Sequence, residues 1–352
     1  GHLNKQDTRT GLKPTVNDIA RVAGVSLATV DRVLNGRPGV RSVTIEKVNQ
    51  AIADLGYVRD TAAANLARGR VYNLLFILPD TANEFVVALD HHVAEQAGKL
   101  RHQRTTLETV RVPPFDPQAI VQTLDDIDSA RTDGVAVFGP ETPSVRDAVK
   151  RARARGIVVV ALVADLPSSD RDHFIGVNNV AAGRTAAQLM GRFVRGDGRV
   201  LVITGSRLAR DHLERRKGFD AVMSERYPRL DVVASIEGRD DPDLIQTLLP
   251  DVFAAYPDLC GVYSSAAGNP GLIQYLNDNP HPGLVVIAHE LTPTSRIALQ
   301  NDVFDAIISQ DTGHLVRSAV RLMKATADRQ PIDHTQERIR IDIYLKENMP
   351  DP

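Results

Sequence analysis

TVNDIARVAGVSLATVDRVLNG, residues 15–36, reads as two short helices joined by a tight turn. Thr15 is placed to cap the first, with Asp18 at its third position, favourable against the helix dipole. Val16, Ile19, Ala20 and Ala23 recur at helical spacing, and Gly24 ends the helix so that Val25 packs back. Ser26 caps the second helix, whose Val30, Val33 and Leu34 share a face, and Asn35-Gly36 and Pro38-Gly39 stop it. Small residues at 20, 23, 24 and 28 permit a close crossing. A third helix follows in TIEKVNQAIADLGY, with Thr44 as cap, Ile45, Val48, Ile52 and Leu55 as stripe, and Gly56 as stop. The spacing predicts a helix-turn-helix head whose second helix can enter a major groove.

With the valines inward, Leu27, Ala28, Asp31 and Arg32 face out. Arg32 can donate two hydrogen bonds to a guanine edge, and Leu27 and Ala28 suit thymine methyls. Thr15, Ser26, Thr29 and Asn35 suit phosphates, which position without specifying. Asp31 cannot donate and is repelled by phosphate. It accepts from a cytosine amino group, orients Arg32 or another basic side chain, or faces solvent. Charge supports the interface: residues 1–70 carry a net +5 and the other 282 a net −7, against −2 overall. A small basic head on a mildly acidic body fits nucleic-acid binding joined to a second task. The alanine-rich stretch DTAAANLARGR (60–70) is too short to hold as a lone helix; Leu66 is either a minor-groove wedge or a packing contact.

From residue 71, short apolar strands alternate with amphipathic helices. YNLLFILPD, TLETVRV, GVAVFG and IVVVALVAD form one series, with helices near 85–99, 117–130 and 143–155. A second begins near 174 with FIGVN and runs through RVLVITG, LDVVASI, CGVYSS and LVVIAHE. This is the alternation of parallel α/β sheets, and the polar DLPSSDRDH between the series predicts two doubly wound lobes with a cleft between them. The assigned bounds are a disordered segment 1–13, head 14–59, hinge 60–70, first lobe 71–172 with 305–330, and second lobe 173–304 with 331–350.

The sequence offers little for catalysis. No glycine fingerprint for dinucleotides or nucleoside triphosphates occurs, and no cofactor is expected. The lone Cys260 forbids an intrachain disulfide and suits a reducing compartment. His91-His92, His281 and His314 lack partners at ligand spacing, so no metal is expected. His212 and Glu214 open a charged helix, where gripping a ligand or facing solvent outweighs acid–base chemistry. A metal beside converging His212 and Glu290 would favour an enzyme. No apolar run approaches the ~18 residues of a membrane span, and no secretory start appears. A cytoplasmic protein without membrane contact is the expectation, and a transport-type solute binder is disfavoured by the basic head.

PTVNDIARVAGVSLATVDRVLNGRPGVRSVTIEKVNQAIADLGYVRD and AAANLARGR together resemble the head and hinge of the lactose-repressor/galactose-repressor family of bacterial regulators. ILPDTANEF, TDGVAVFG, GVNNVAAGRTAAQLM and RRKGFDAV resemble its effector domain, a type I periplasmic-binding-protein-like body. The resemblance covers about residues 14–350. It implies a nucleoid-associated homodimer that reads a pseudo-palindromic operator in double-stranded DNA, with Leu27, Ala28 and Arg32 reading bases and Leu66 entering the minor groove. It also implies a small-molecule effector between the lobes, here a sugar, polyol or sugar acid. Asn83 and Phe85 match the first lobe's strand-end loop, where Glu84 replaces the usual proline. Asp165 falls near the first crossing. The second lobe's usual arginine position holds Leu213, which leaves His212, Arg215 or Arg216. Asn269, Glu290 and Gln310 complete the candidates. Asp31, Asp60 and Ala64 depart from the family's serine, asparagine and arginine. The alternative is a DNA-binding dimer whose body has lost small-molecule control; a cleft plugged by apolar side chains would favour it over an open polar one.

Overall fold

The computed structural model describes residues 13–60, 69–233 and 235–352. The expected disordered segment 1–13, apart from Lys13, and Leu66 of the hinge lie outside these residues. The chain divides into two units, 1–70 and 71–352.

The head holds α1 (Val16–Ala23), α2 (Leu27–Leu34) and α3 (Ser42–Leu55). Thr15 and Asp18 form a reciprocal capping box at the start of α1, and Gly24 at φ +68° turns the chain toward α2. Ile19, Val30, Val48 and Ala51 are its buried centre. Two expectations for α3 are corrected. It starts at Ser42 behind Arg41, which makes no side-chain cap, so Thr44 sits within the first turn. Its inward face centres on Val48 and Ala51, which leaves Ile45 at the edge, 38% exposed.

The body has two lobes. In the first, β1 (Tyr72–Pro79), β2 (Thr105–Val112), β3 (Gly134–Val137), β4 (Val158–Leu162) and β5 (His173–Ile175) form a parallel sheet in the order β2-β1-β3-β4-β5. Alternation along β1 sends Leu74, Phe76 and Leu78 to one face and Leu75 and Ile77 to the other. Both faces are covered by helices, which is why the strands read as continuous apolar runs rather than alternating ones. The helices are α4 (Glu84–Leu100), α5 (Pro117–Asp126) and α6 (Pro143–Ala154).

The second lobe is built from β6 (Gly198–Thr204), β7 (Leu230–Val232), β8 (Ile236–Glu237), β9 (Leu259–Ser264), β10 (Val285–His289), β11 (Ala306–Ser309) and β12 (Asp342–Tyr344). Its path is β12-β11-β10-β9-β6-β7, with β8 also on β6 and only β12 antiparallel. Its helices are α7 (Asn179–Phe193), α8 (Arg210–Arg226), α9 (Pro242–Ala255), α10 (Asn269–Asp278) and α11 (Pro293–Gln300). Last come α12 (Thr312–Ala327) and the short α13 (His334–Glu337).

The lobe bounds read from sequence shift in three places. FIGVN does not open the second lobe: β5 pairs with β4 (Leu162 opposite Ile175), so the first crossing moves to residues 176–178. Residues 306–309 belong to the second lobe, because β11 lies parallel to β10 and completes a β-α-β unit there. Only then does the chain cross, and α12 packs Leu315, Val316 and Ala319 into the first lobe's core. Ile339 still packs there, so the return lies just before β12.

In each lobe the strand order reverses direction beside the first strand, between β1 and β3 and between β6 and β9. In such sheets the crevice for ligands opens at the carboxyl ends of the strands flanking that switch point. Here the two crevices face each other.

Candidate functional site

On the head, Ser26 Oγ accepts from the Thr29 amide at 3.1 Å and lies 2.9 Å from the Thr29 hydroxyl, which fixes the start of α2. Leu27, Ala28, Asp31 and Arg32 are all exposed, and Leu27 at 48% is unusually bare for a leucine. Asp31 does not engage Arg32. Its carboxylate accepts from Asn35 Nδ2 at 2.8 Å and lies 3.6 Å from Arg37. Arg59 donates to Asn35 Oδ1 at 2.7 Å and to the Leu34 carbonyl at 3.1 Å. Thus the last turn of α2 is tied to the chain just before residue 60. Thr15 spends its hydroxyl on the capping box.

In the body, a cavity of about 280 Å³ lies between the lobes, near the lower end of the usual range for small-ligand sites. It is walled by the segments that leave the carboxyl ends of β1 to β4, β6 and β8 to β10. The first lobe's wall is largely apolar, with Phe85, Phe115, Phe138 and Pro140, plus Asn83. Asn83 Oδ1 caps α4 through the Phe85 amide at 2.9 Å. Glu84 in that turn reaches the opposite lobe. It accepts from the Thr294 amide at 3.0 Å and the Thr294 hydroxyl at 2.6 Å, at the start of α11. Burial pushes the Glu84 carboxyl up, but donors at Thr294 and Thr292 outweigh it and hold it below its ordinary value.

The second lobe's wall is polar and centred on α8. Gly183 of α7 and Gly218 of α8 let the two backbones touch: a Cβ on Gly183 would sit 1.8 Å from the Arg215 carbonyl oxygen, and one on Gly218 2.0 Å from that of Val180. That crossing buries Arg215. Its Nε donates to Asn179 Oδ1 at 3.0 Å and its Nη1 to the Ser265 carbonyl at 2.8 Å, while Nη2 lies 3.8 Å from Glu290. Burial raises the Glu290 carboxyl to about 7, against the opposing pull of Arg215 and the hydrogen bonds from Gln310. Burial also drives His289 well below the usual histidine range, so its ring, 2.6 Å from the Tyr263 hydroxyl, is neutral. Asn269 accepts from Ser264 at 2.7 Å and donates to the His289 carbonyl at 3.2 Å.

Backbone strain gathers at this cavity. Eight described non-glycine residues have left-handed φ, and five of them line it: Phe115, Val163, Arg239, Asp240 and Glu290. Val163, at φ +69°, centres a tight turn closed by the Ala164 amide on the Leu162 carbonyl at 2.8 Å. A β-branched residue there costs on the order of 1–3 kcal/mol, and such strain concentrates at ligand clamps.

Of the cleft residues expected from sequence, Asn83, Phe85, His212, Arg215, Asn269 and Glu290 line one cavity. Three do not. Asp165 lies before β5, paired with Arg171 at 2.8 Å, because the crossing comes later than expected. Arg216 points from the outer side of α8 to Asp220 and Ser235. Gln310 sits behind Glu290, and its Oε1 is buried with no hydrogen-bond partner among the described residues. Leu213 is 48% exposed, so the position matched to the family's arginine faces out, and Arg215 two residues on is the buried cation. Sequence reasoning missed Asp211, 5% exposed and on the cavity wall. An acid in a helix's first turn reads the same whether it faces solvent or a ligand. Although His212 and Glu290 share the cavity, no group of three or more metal-ligating side chains is disposed to hold an ion among the described residues.

Two opposed doubly wound lobes with a cleft at both switch points define a bilobal body with a ligand-sized cavity, and the same chain carries a helix-turn-helix head. The comparisons agree. Residues 74–331 match the periplasmic binding protein domain, and residues 15–60 match the bacterial regulatory proteins of the lacI family. The chain belongs to the periplasmic binding protein domain family over its body and carries a lacI-family head. It is 25% identical over 229 residues to the HTH-type transcriptional regulator DegA of Bacillus subtilis, covering 65% of this chain and 66% of that one. With the HTH-type regulator GntR of Pseudomonas aeruginosa it shares 29% over 228 residues, 61% and 60% of the two chains. The chain thus spans somewhat less than two thirds of these relatives' length. A solute-binding protein from Burkholderia graminis, solved with D-arabinose, superposes with a TM-score of 0.71 at 27% identity, over 79% of this chain and 96% of that one. Among the described residues no helix is long and apolar enough to cross a membrane.

Proposed function

We propose that the chain is a DNA-binding transcriptional regulator, a repressor, controlled by a small hydroxylated molecule held between its lobes. It works as a cytoplasmic, nucleoid-associated homodimer whose paired heads read a two-fold operator, and it is not an enzyme. Leu27, Ala28 and Arg32 read bases, with Ser26, Thr29 and Thr15 beside the phosphates. Leu66 keeps the minor-groove role that the resemblance gives it. Asn83, Phe85, His212, Arg215, Asn269 and Glu290 hold the effector. Its binding biases the angle between the lobes and thereby the DNA-competent state of the dimer. A coupling of ~1–3 kcal/mol suffices to change operator occupancy about 5–150-fold.

The observation that carries this reading is the presence, in one chain, of an exposed α2 face and of a cavity at both switch points whose second-lobe wall is polar. The alternative, a body that only dimerises, is disfavoured by that cavity, since it contains Arg215 and Asn269 rather than an apolar plug. The test is selection of bound sequences from a random duplex library, followed by fluorescence anisotropy on the selected site. Arg32→Ala should lower preference among sites more than it lowers nonspecific affinity. Equal losses on both would remove Arg32 from base reading, and no enrichment of any two-fold sequence would remove the operator reading.

A further inference from the structure

The segment that returns the chain from the first lobe to the second reads Arg338-Ile339-Arg340-Ile341 and lies between α13 and β12. Ile339 is buried in the first lobe's core, and Ile341 packs against the cores of both lobes. Alternate side chains of an extended chain take opposite sides. Arg338 and Arg340 are accordingly both exposed, and both line one open groove. Neither makes a hydrogen bond or ion pair with any described residue. The groove shares no residue with the cavity between the lobes.

Glu337 is the only acid among the described residues that wall this groove, and it is already occupied. Its carboxylate accepts from Arg321 Nε at 2.7 Å and from the Ser318 hydroxyl, both on α12. Asn178, on the first crossing, uses its carbonyl oxygen to cap α7 through the Ala181 amide at 3.0 Å, which leaves its amide hydrogens to donate. The rings of His173 and His334 also line the groove with no hydrogen bond to a described residue. The walls therefore offer donors and two cations, with no unengaged carboxylate. Two guanidiniums at i and i+2 on one side repel, and a shared anion reverses the sign of that interaction. Their forks match phosphate oxygens, which can engage both at once. Phe174 and Leu322 add an apolar wall on which a small carbon skeleton can rest, whereas the hydrated backbone of a duplex gains nothing from it.

We propose that this groove is a second ligand site, separate from the cleft, and that it takes a small metabolite bearing a phosphate group. Arg338 and Arg340 clasp the phosphate from the return crossing, while His173 and Asn178 meet it from the side of the first crossing. A ligand that touches both connecting segments favours the lobe angle at which they are correctly spaced. Its occupancy is thus a second input to the arrangement of the lobes.

The experiment follows hydrogen exchange by mass spectrometry on the full chain, at constant ionic strength, with ribose 5-phosphate, ribose and pyrophosphate as probes. Ribose 5-phosphate and pyrophosphate should slow exchange in residues 173–178 and 334–341, and ribose should not. Slowing confined to the cleft segments 81–85 and 239–242 overturns the proposal, because the phosphate then goes to the cleft. No slowing by either phosphate at millimolar concentration overturns it as well. Random duplex DNA that protects 334–341 more strongly than ribose 5-phosphate, at equal phosphate, would make the patch a DNA contact instead. In calorimetry, joint Arg338→Gln and Arg340→Gln should weaken ribose 5-phosphate by about tenfold or more, the loss expected for a charge-assisted contact. Unchanged affinity in that variant removes the two arginines from the site and the proposal with them. The wild-type exchange pattern decides the matter even if the variant does not fold.

Discussion

Asp31 stands in the reading helix where a phosphate-contacting residue is expected, and its partners are now defined. It is held by Asn35 and faces Arg37, and it leaves Arg32 unengaged. The acid therefore acts on the end of the helix, through a chain that runs Asp31, Asn35, Arg59, and not on Arg32, the arginine proposed to read bases. We predict that Asp31→Ser tightens binding to all duplexes alike. It should steepen the dependence of log K on log salt by about one phosphate contact, with no change in base preference. Anisotropy titrations across salt on specific and random duplexes read both quantities, and a changed base preference would return Asp31 to sequence reading. The outward face of α2 was legible from caps and spacing, since helical periodicity fixes which side chains oppose Val30. The wider set around Asp31 was not, because Arg37 lies beyond the end of α2 and Arg59 reaches Asn35 from the chain after α3.

At the level of elements, the helices could be read from their caps and apolar spacing, and the strands from their runs. Membership of a sheet could not. β5 (HFI) and β11 (AIIS) are only three and four residues long, too short for their pattern to tell one lobe from the other. The same limit moved Asp165 out of the cleft and set Arg215 in place of Leu213. What decides Arg215 is the crossing of α7 and α8, and this gives an element-scale prediction. Gly183→Ala should force α8 away from α7 and displace Arg215. The expected cost is about 1–3 kcal/mol of body stability, as for other overpacked contacts, with loss of ligand-induced thermal stabilisation. Nonspecific DNA binding by the head should persist. An unchanged melting temperature would mean that the backbones do not touch as described.

Across the whole molecule, Glu290 couples the cleft to the second crossing, since Gln310 donates to it both from its backbone and from its side chain. Its folded carboxyl is raised to about 7 from 4.5. The folded state therefore binds the proton more tightly than the unfolded chain. The stability this provides is complete below about pH 4.5 and is lost as pH rises through 7. His289 acts oppositely, since its lowered value removes stability only as pH falls below the normal histidine range. Melts from pH 6.5 to 8.5 should thus show wild type losing stability relative to Glu290→Gln, with the variant the more stable at pH 8. Parallel curves would show that Glu290 does not titrate there.

Glu84 has a further consequence, for time rather than affinity. Its two bonds to Thr294 tie one lobe to the other beside the cleft. On the effector reading proposed above, lobe opening for ligand entry must first break them. If the partly exposed pair is worth about 1.4 kcal/mol, near the lower end for a charged hydrogen bond, opening slows about tenfold. Glu84→Gln should therefore speed both arrival and departure of a ligand in stopped-flow traces while shifting the dissociation constant far less. On the proposed function, the clasp sets how long the protein keeps a record of a metabolite after its concentration has fallen.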